Sequence, residues 1–237
     1  RPRAVERLEE VTQEEAQAAA GAFMGLKPEI FNPLSGGDGA IPNWSFSAVV
    51  DGGEVYIEVS RQGGKVTELM NSRPVGEASL TAEEGVEAVR AFLAEQGYGD
   101  MEPTYYINQN NILTVNFAAR QGDVLCYPDL IKVAVALDNG SIVGFEADGY
   151  LMNHAQRTLE TPAVSEETAR AVLDPELECL SHQLVLIPTS GKYEVLCHEF
   201  KCQLEDGRHY IVYVNAQTGN EEKILLLIED ENGTLTI

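Results

Sequence analysis

Lys132-Val133-Ala134-Val135-Ala136-Leu137-Asp138-Asn139-Gly140 is the stretch on which the fold turns. Its first six residues send side chains alternately to two faces, the period of a strand. Asp-Asn-Gly then supplies turn chemistry. Two other stretches repeat the pattern: Glu54-Val55-Tyr56-Ile57-Glu58-Val59 ahead of Gly64, and Tyr210-Ile211-Val212-Tyr213-Val214 ahead of Gly219. One hairpin used three times is the mark of internal repetition.

Upstream of each hairpin lies a helix start. Thr12-Gln13-Glu14-Glu15 and Thr81-Ala82-Glu83-Glu84 are capping boxes, a Thr N-cap with Glu three residues on. Ala16, Ala19, Ala20 and Phe23 then recur at helical spacing before Gly25. Val86, Val89 and Leu93, with Phe92 beside them, do the same before Gly97. Ser165-Glu166-Glu167 opens a shorter third copy, with Ala169, Val172 and Leu173 as its stripe and Pro175 as its stop. Thr168 stands where the boxes carry Glu, so this cap is weaker.

Strand patterns follow each helix: residues 44–50, 54–60 and 65–70; then 104–108, 112–119, 131–137 and 141–147; then 183–187, 193–204, 210–215 and 222–228. Residues 32–43, with Gly36-Gly37-Asp38-Gly39, are expected to be a loop. Polar, proline-bearing stretches at 71–77 and 160–163 mark boundaries. The expected fold is α+β, with three tandem units at 1–72, 73–160 and 161–237, each one helix packed on an antiparallel sheet. The sheet face away from each helix stays open unless a neighbouring unit or a partner covers it.

Charge narrows the partners. Sixteen Lys and Arg face 38 Asp and Glu, a net charge of -22. Such a surface repels phosphate backbones and anionic headgroups, so neither nucleic acid nor a membrane surface is expected. A basic protein surface is the natural complement. No apolar run reaches the roughly 18 residues of a membrane span. The opening Arg1-Pro2-Arg3 lacks a Met, as expected of a piece of a longer protein.

Further motifs give a finer reading. The repeated helix and hairpin resemble PepSY-type, cystatin-like units. Tyr127-Pro128-Asp129-Leu130-Ile131-Lys132-Val133, Ile142-Val143-Gly144-Phe145-Glu146-Ala147 and Gly149-Tyr150-Leu151-Met152-Asn153-His154 resemble the spore germination YpeB family. Tyr213-Val214-Asn215-Ala216, Glu221-Glu222-Lys223-Ile224-Leu225 and the terminal residues 229–236 fit the same family's C-terminus. The resemblance implies an N-terminal membrane anchor in the full-length protein and an extracytoplasmic place in the spore envelope, between inner membrane and cortex. It also implies support of a SleB-type cortex-lytic enzyme that degrades peptidoglycan at germination. It brings no catalytic motif and no cofactor.

The residues agree. No G-x-S-x-G, H-E-x-x-H or P-loop pattern is present. Glu14-Glu15, Glu83-Glu84 and Glu166-Glu167 sit at helix starts, where they favour the macrodipole. The expected role is a non-catalytic binding module, not an enzyme. A protease-inhibitor-like module is the alternative, and a peptidoglycan hydrolase ranks below both. Cys126, Cys179, Cys197 and Cys202 read as small buried hydrophobes, with disulfide pairing left open. Cys197 and Cys202, five apart on one strand, face opposite sides and cannot share a metal. Tyr105, Tyr106 and Tyr127 are the protein-interaction candidates, since tyrosine offers apolar area with a polar tip. Their competing role is packing between neighbouring units.

Overall fold

The computed structural model describes residues 1–191, 193–230 and 233–236. Glu231 and Asn232, inside the terminal family-like stretch, lie outside the described residues. The chain is a mixed α+β protein, mostly sheet with few helices.

Helices form where the caps place them. α1 (Gln13–Met24) and α2 (Ala82–Glu95) each start behind a complete capping box. Thr12 and Thr81 accept from the amides of Glu15 and Glu84, whose carboxylates accept in return from the Thr amides. α3 (Asp148–Asn153) is a six-residue turn of helix, too short for a periodic stripe to announce it. α4 (Glu166–Arg170) has its Ser165 cap but not the reciprocal Glu, and is the shortest of the four.

The strands are β1 (Asn32–Pro33), β2 (Asn43–Val50), β3 (Gly53–Ser60), β4 (Val66–Asn71), β5 (Met101–Gln109), β6 (Ile112–Gln121), β7 (Val124–Ala136), β8 (Ile142–Glu146), β9 (Glu178–Pro188), β10 (Glu194–Gln203), β11 (His209–Asn215), β12 (Glu221–Asp230) and β13 (Gly233–Thr236). Tight hairpins join them where the sequence tolerates positive φ. Asp51 and Gly52 sit at 51° and 79°, and Asn110 and Asn111 at 52° and 62°. Two left-handed residues in a row make the hairpin turn whose twist matches the strands. Residues 32–43, expected to be a loop, donate the short β1, which pairs with β2.

The strands join into one 13-stranded sheet in the order β1-β2-β3-β4-β8-β7-β6-β5-β13-β12-β11-β10-β9. It runs unbroken across the boundaries expected near 72 and 160. Its far end also returns. β9 pairs in parallel with the start of β7, Val124–Cys126 against Leu184–Leu186, and β13 meets β5 at Gly233 opposite Ile107. Strands β5, β6, β7, β9, β10, β11, β12 and β13 therefore close into a ring, while β1–β4 and β8 remain an open wing.

β7 belongs to both parts, and a bulge divides it. The β6–β7 register steps from Ala118 opposite Leu130 to Ala119 opposite Cys126. The extra residues are Tyr127, Pro128 and Asp129. Proline lacks an amide to give a ladder and is confined to edges and bulges. A bulge also bends its strand. Before it, β7 pairs with β9; after it, β7 pairs with β8.

The main core lies on one face of the wing and of β5–β7. Phe46, Ile57, Leu69, Phe117 and Val133 meet Ala20 and Phe23 of α1 and Val89 and Leu93 of α2. Phe23, Phe92 and Phe145 pack edge-on with centroids 4.9–6.2 Å apart, so both helices share this core. Gly85 lets α2 lie close: a Cβ there would stand 2.8 Å from Leu113 and Leu137. Inside the ring is a second cluster with Leu125, Val185, Cys197, Ile211 and Leu227, and outside it α4 covers Phe200, Val212 and Val214. Among the described residues, no helix is long and apolar enough to cross a membrane.

Candidate functional site

Among the described residues, no helix covers the second face of the wing, and the end of that face around Val49 and Met70 is open to solvent. Strand alternation sends Ser45, Ser47 and Val49 of β2 to this face, with Glu54, Tyr56 and Glu58 of β3. Two rows cross it. One reads Ser45, Glu58, Glu68, Glu146, Lys132 from strand to strand. The next reads Ser47, Tyr56, Met70, Gly144, Ala134. Val49 is 74% exposed and Met70 57%. With Ser47, Tyr56 and Val143 they line a shallow groove of about 560 Å³.

The glutamate row is electrostatically tense. Like charges directly across a ladder repel. Burial, then Glu58, Asp148 and Glu146, push the Glu68 carboxyl above its ordinary value. Burial, then Glu58 and Glu146, do the same to Asp148. Glu58 is held in place by the Tyr56 hydroxyl at 2.5 Å, Thr67 Oγ1 at 3.2 Å and Asn43 Nδ2 at 3.3 Å, all donating to it.

The ring holds a different site. Tyr105 and Tyr127 point into it, whereas Tyr106 lies across the strand, against the main core. Tyr127 donates to Glu199 Oε2 at 2.6 Å, and Gln183 Nε2 donates to Oε1 at 2.7 Å. Glu199 is only 7% exposed. Burial first, then the Glu199 charge, raise the phenols of Tyr105, Tyr127 and Tyr213, so they remain protonated donors. Lys201 meets Glu229 at 3.2 Å at the mouth, where His209 reaches the same carboxylate at 2.8 Å. The pocket holds about 300 Å³.

Burial lifts the Cys197 thiol, inside the ring, to about 12 and that of Cys126 to about 11, far from thiolate at neutral pH. Among the described residues, no group of three or more His, Cys, Asp and Glu is placed to hold a metal ion.

Two buried arginines tie the parts together, Arg73 within the 71–77 stretch and Arg157 just ahead of 160–163. Arg73 gives bidentate hydrogen bonds to Asp138 at 2.8 and 2.9 Å and reaches Asn139 and Ser141 on the same turn. Arg157 spans Asp129 at 2.6 and 2.8 Å and Glu194 at 2.7 and 2.8 Å. His154 Nδ1 joins Asp129 at 2.7 Å and stacks on Tyr150. Burial raises the Asp129 carboxyl, but the hydrogen bonds from Arg157 and His154 outweigh it and hold the group below its ordinary value.

The model of the YpeB sporulation family, covering its PepSY1 and PepSY2 domains, matches residues 1–160. The chain belongs to the YpeB family. It is 33% identical over 226 residues to the sporulation protein YpeB of Halalkalibacterium halodurans, covering 93% of this chain and 50% of that protein. It is 30% identical over 217 residues to the YpeB of Oceanobacillus iheyensis, covering 91% and 48%. The chain thus spans about half the length of these curated relatives. It is also similar to the solved Bacillus megaterium YpeB C-terminal domain, with a TM-score of 0.83 and 25% identity over 93% of this chain and all of that one.

Within this YpeB-family fold, the motif Tyr127-Pro128-Asp129 is the bulge itself. It delivers Tyr127 to Glu199 and Asp129 to Arg157. Of the three tyrosines singled out from sequence, the structure brings Tyr105 and Tyr127 together and leaves Tyr106 apart. Sequence reasoning missed Glu199, Arg157 and the uncovered pair Val49 and Met70. The available signals were a proline and an aspartate in an otherwise strand-like run, and a methionine at a polar position of an alternating strand.

Proposed function

We propose that this chain is a non-catalytic module that stabilises or regulates a spore cortex-lytic, peptidoglycan-degrading enzyme at germination. It acts by protein contact, outside the cytoplasm, in the spore envelope. We read it as three PepSY-like units at residues 1–72, 73–160 and 161–237. The match of residues 1–160 to the PepSY1 and PepSY2 model supports the first two. The order of α4 followed by β9–β13 supports the third. Family membership supports the sporulation context.

The observation that carries the reading is the uncovered wing face. Exposed Val49 and Met70 line one groove, and Met70 lies next to the row of Glu58, Glu68 and Glu146. Exposed apolar side chains set in a groove among polar and acidic ones suit contact with a protein partner. The matching partner surface is apolar at its centre and basic at its rim.

The test is binding of the purified chain to a SleB-type hydrolase, followed by calorimetry and by survival of the hydrolase under limited proteolysis. Binding and protection are expected, with both reduced in Val49→Glu and Met70→Glu. Absence of binding by the folded wild type would remove the reading. Binding that the two variants leave intact would move the contact off this face.

A further inference from the structure

Cys179 of β9 and Cys202 of β10 stand directly opposite each other in the antiparallel ladder. Such partners share a face, with Cβ atoms about 4.5–5.5 Å apart. A disulfide joins residues whose Cα atoms lie about 4.4–6.8 Å apart, which neighbouring strands satisfy. Both side chains enter the same small apolar cluster under α4. The ladder slips between Lys201 and Cys202, leaving Leu180 without a partner beside the pair. A bulge of this kind disrupts the ladder locally, easing adjustment of the two backbones.

Access is asymmetric. Cys202 is fully buried, while Cys179 is partly exposed. A soluble reagent therefore meets Cys179 first. The other two thiols lie elsewhere: Cys126 packs with Val124 and Leu186, and Cys197 faces the ring interior. All four are free thiols.

We propose that Cys179 and Cys202 are a redox pair that closes to a disulfide by exchange with a small-molecule disulfide such as oxidised glutathione. The Cys179 thiolate attacks one sulfur of the reagent, forming a mixed disulfide and expelling one reagent thiolate. The Cys202 thiolate then attacks the Cys179 sulfur and expels the second. Two cysteine thiols are oxidised to one disulfide. The reagent disulfide is reduced to two thiols, which take up the two protons the cysteines release. The bond ties β9 to β10 at their outer ends, where α4 rests.

The second step sets the pace. Burial first, then the neighbouring Cys179, lift the Cys202 thiol to about 11, so closure quickens as pH rises. Arg170, at the end of α4, is the nearby cation that favours the thiolate.

The experiment treats the native, reduced chain with oxidised glutathione, blocks residual thiols under denaturing conditions, and maps peptides by mass spectrometry. A Cys179–Cys202 cross-linked peptide is expected, with Cys126 and Cys197 blocked as free thiols. The oxidised chain should unfold at higher denaturant than the reduced one, and dithiothreitol should reverse the shift. In Cys179→Ser the oxidant should leave the midpoint unchanged. Arrest of Cys179 as a glutathione adduct would overturn the proposal. So would a cross-link that includes Cys126 or Cys197, or one that forms only after unfolding.

Discussion

The wing and the ring are made of the same kind of strand but solve opposite problems. In the ring, each strand has two neighbours, and polar groups that enter it find partners: Glu199 takes Tyr127 and Gln183. In the wing, one face is covered by helices and the other is left to solvent, with methionine, valine and crowded glutamates on show. The ring therefore satisfies its polar groups internally, and the wing leaves apolar and acidic side chains facing solvent. β7 passes from one regime to the other at Tyr127-Pro128-Asp129.

The strongest way to break that contrast is to cut the tie at the bulge. Asp129 is 1% exposed, and Arg157 is 8% exposed on its side chain. Asp129→Ala leaves a buried guanidinium half-paired, which costs about 3–5 kcal/mol. Urea unfolding should show that loss. Amide exchange should rise in β9–β12 more than in β2–β4, since the clamp fastens the ring. The sign with pH follows from the direction of the shift. A carboxyl held below its ordinary value stabilises the fold above about pH 4, and that contribution is lost as pH falls through the folded-state value. The gap between wild type and variant should accordingly narrow in acid.

A matched pair of truncations asks the same question of packing. Leu125 is 3% exposed inside the ring, and Met70 is 57% exposed on the wing. Leu125→Ala should cost about 2–5 kcal/mol through lost burial and a residual cavity. Met70→Ser should stay within about 0.5 kcal/mol. Equal costs by chemical denaturation would mean that the wing face is structural.

Much of the wing was legible in the sequence, and little of the ring was. Capping boxes and alternation are local signals, and they placed α1, α2 and most hairpins correctly. The β7–β9 and β13–β5 pairings join residues far apart in the chain, and no local period encodes them. The start of β7 was hidden for a related reason, because Pro128 interrupts a run that the bulge repairs. Arg73 and Arg157 sit in or next to polar stretches, where charge ordinarily means solvent; only the fold shows that both side chains are buried. Val49 and Met70 were visible as letters, but their exposure depends on what covers the sheet.

The polar core of the ring can be tested one hydroxyl at a time. Tyr127→Phe keeps the ring shape and removes one donor from a buried carboxylate. An unsatisfied buried acceptor costs about 1–3 kcal/mol, and thermal or urea unfolding should register a loss in that range. A null result would show that water, or another tyrosine, replaces the bond, and that the ring is wetter than its packing implies.

The smallest expected effect is on the wing, and its sign carries the information. Glu68 lies between Glu58 and Glu146 across the ladder. Its carboxyl is raised by burial and then by Glu58, Asp148 and Glu146, so ionising it works against the fold. A raised acid imposes no penalty below the unfolded-state value near pH 4.3, and the penalty grows as pH rises through the folded-state value. Glu68→Gln should therefore stabilise the chain at pH 7 by about 0.2–0.5 kcal/mol after solvent screening, a gain that fades in acid and in high salt. Retaining a glutamate that weakens the fold makes physical sense where a cationic partner relieves the repulsion. If the variant instead lowers the unfolding midpoint at neutral pH, the row stabilises the wing, and charge can no longer be counted toward docking there.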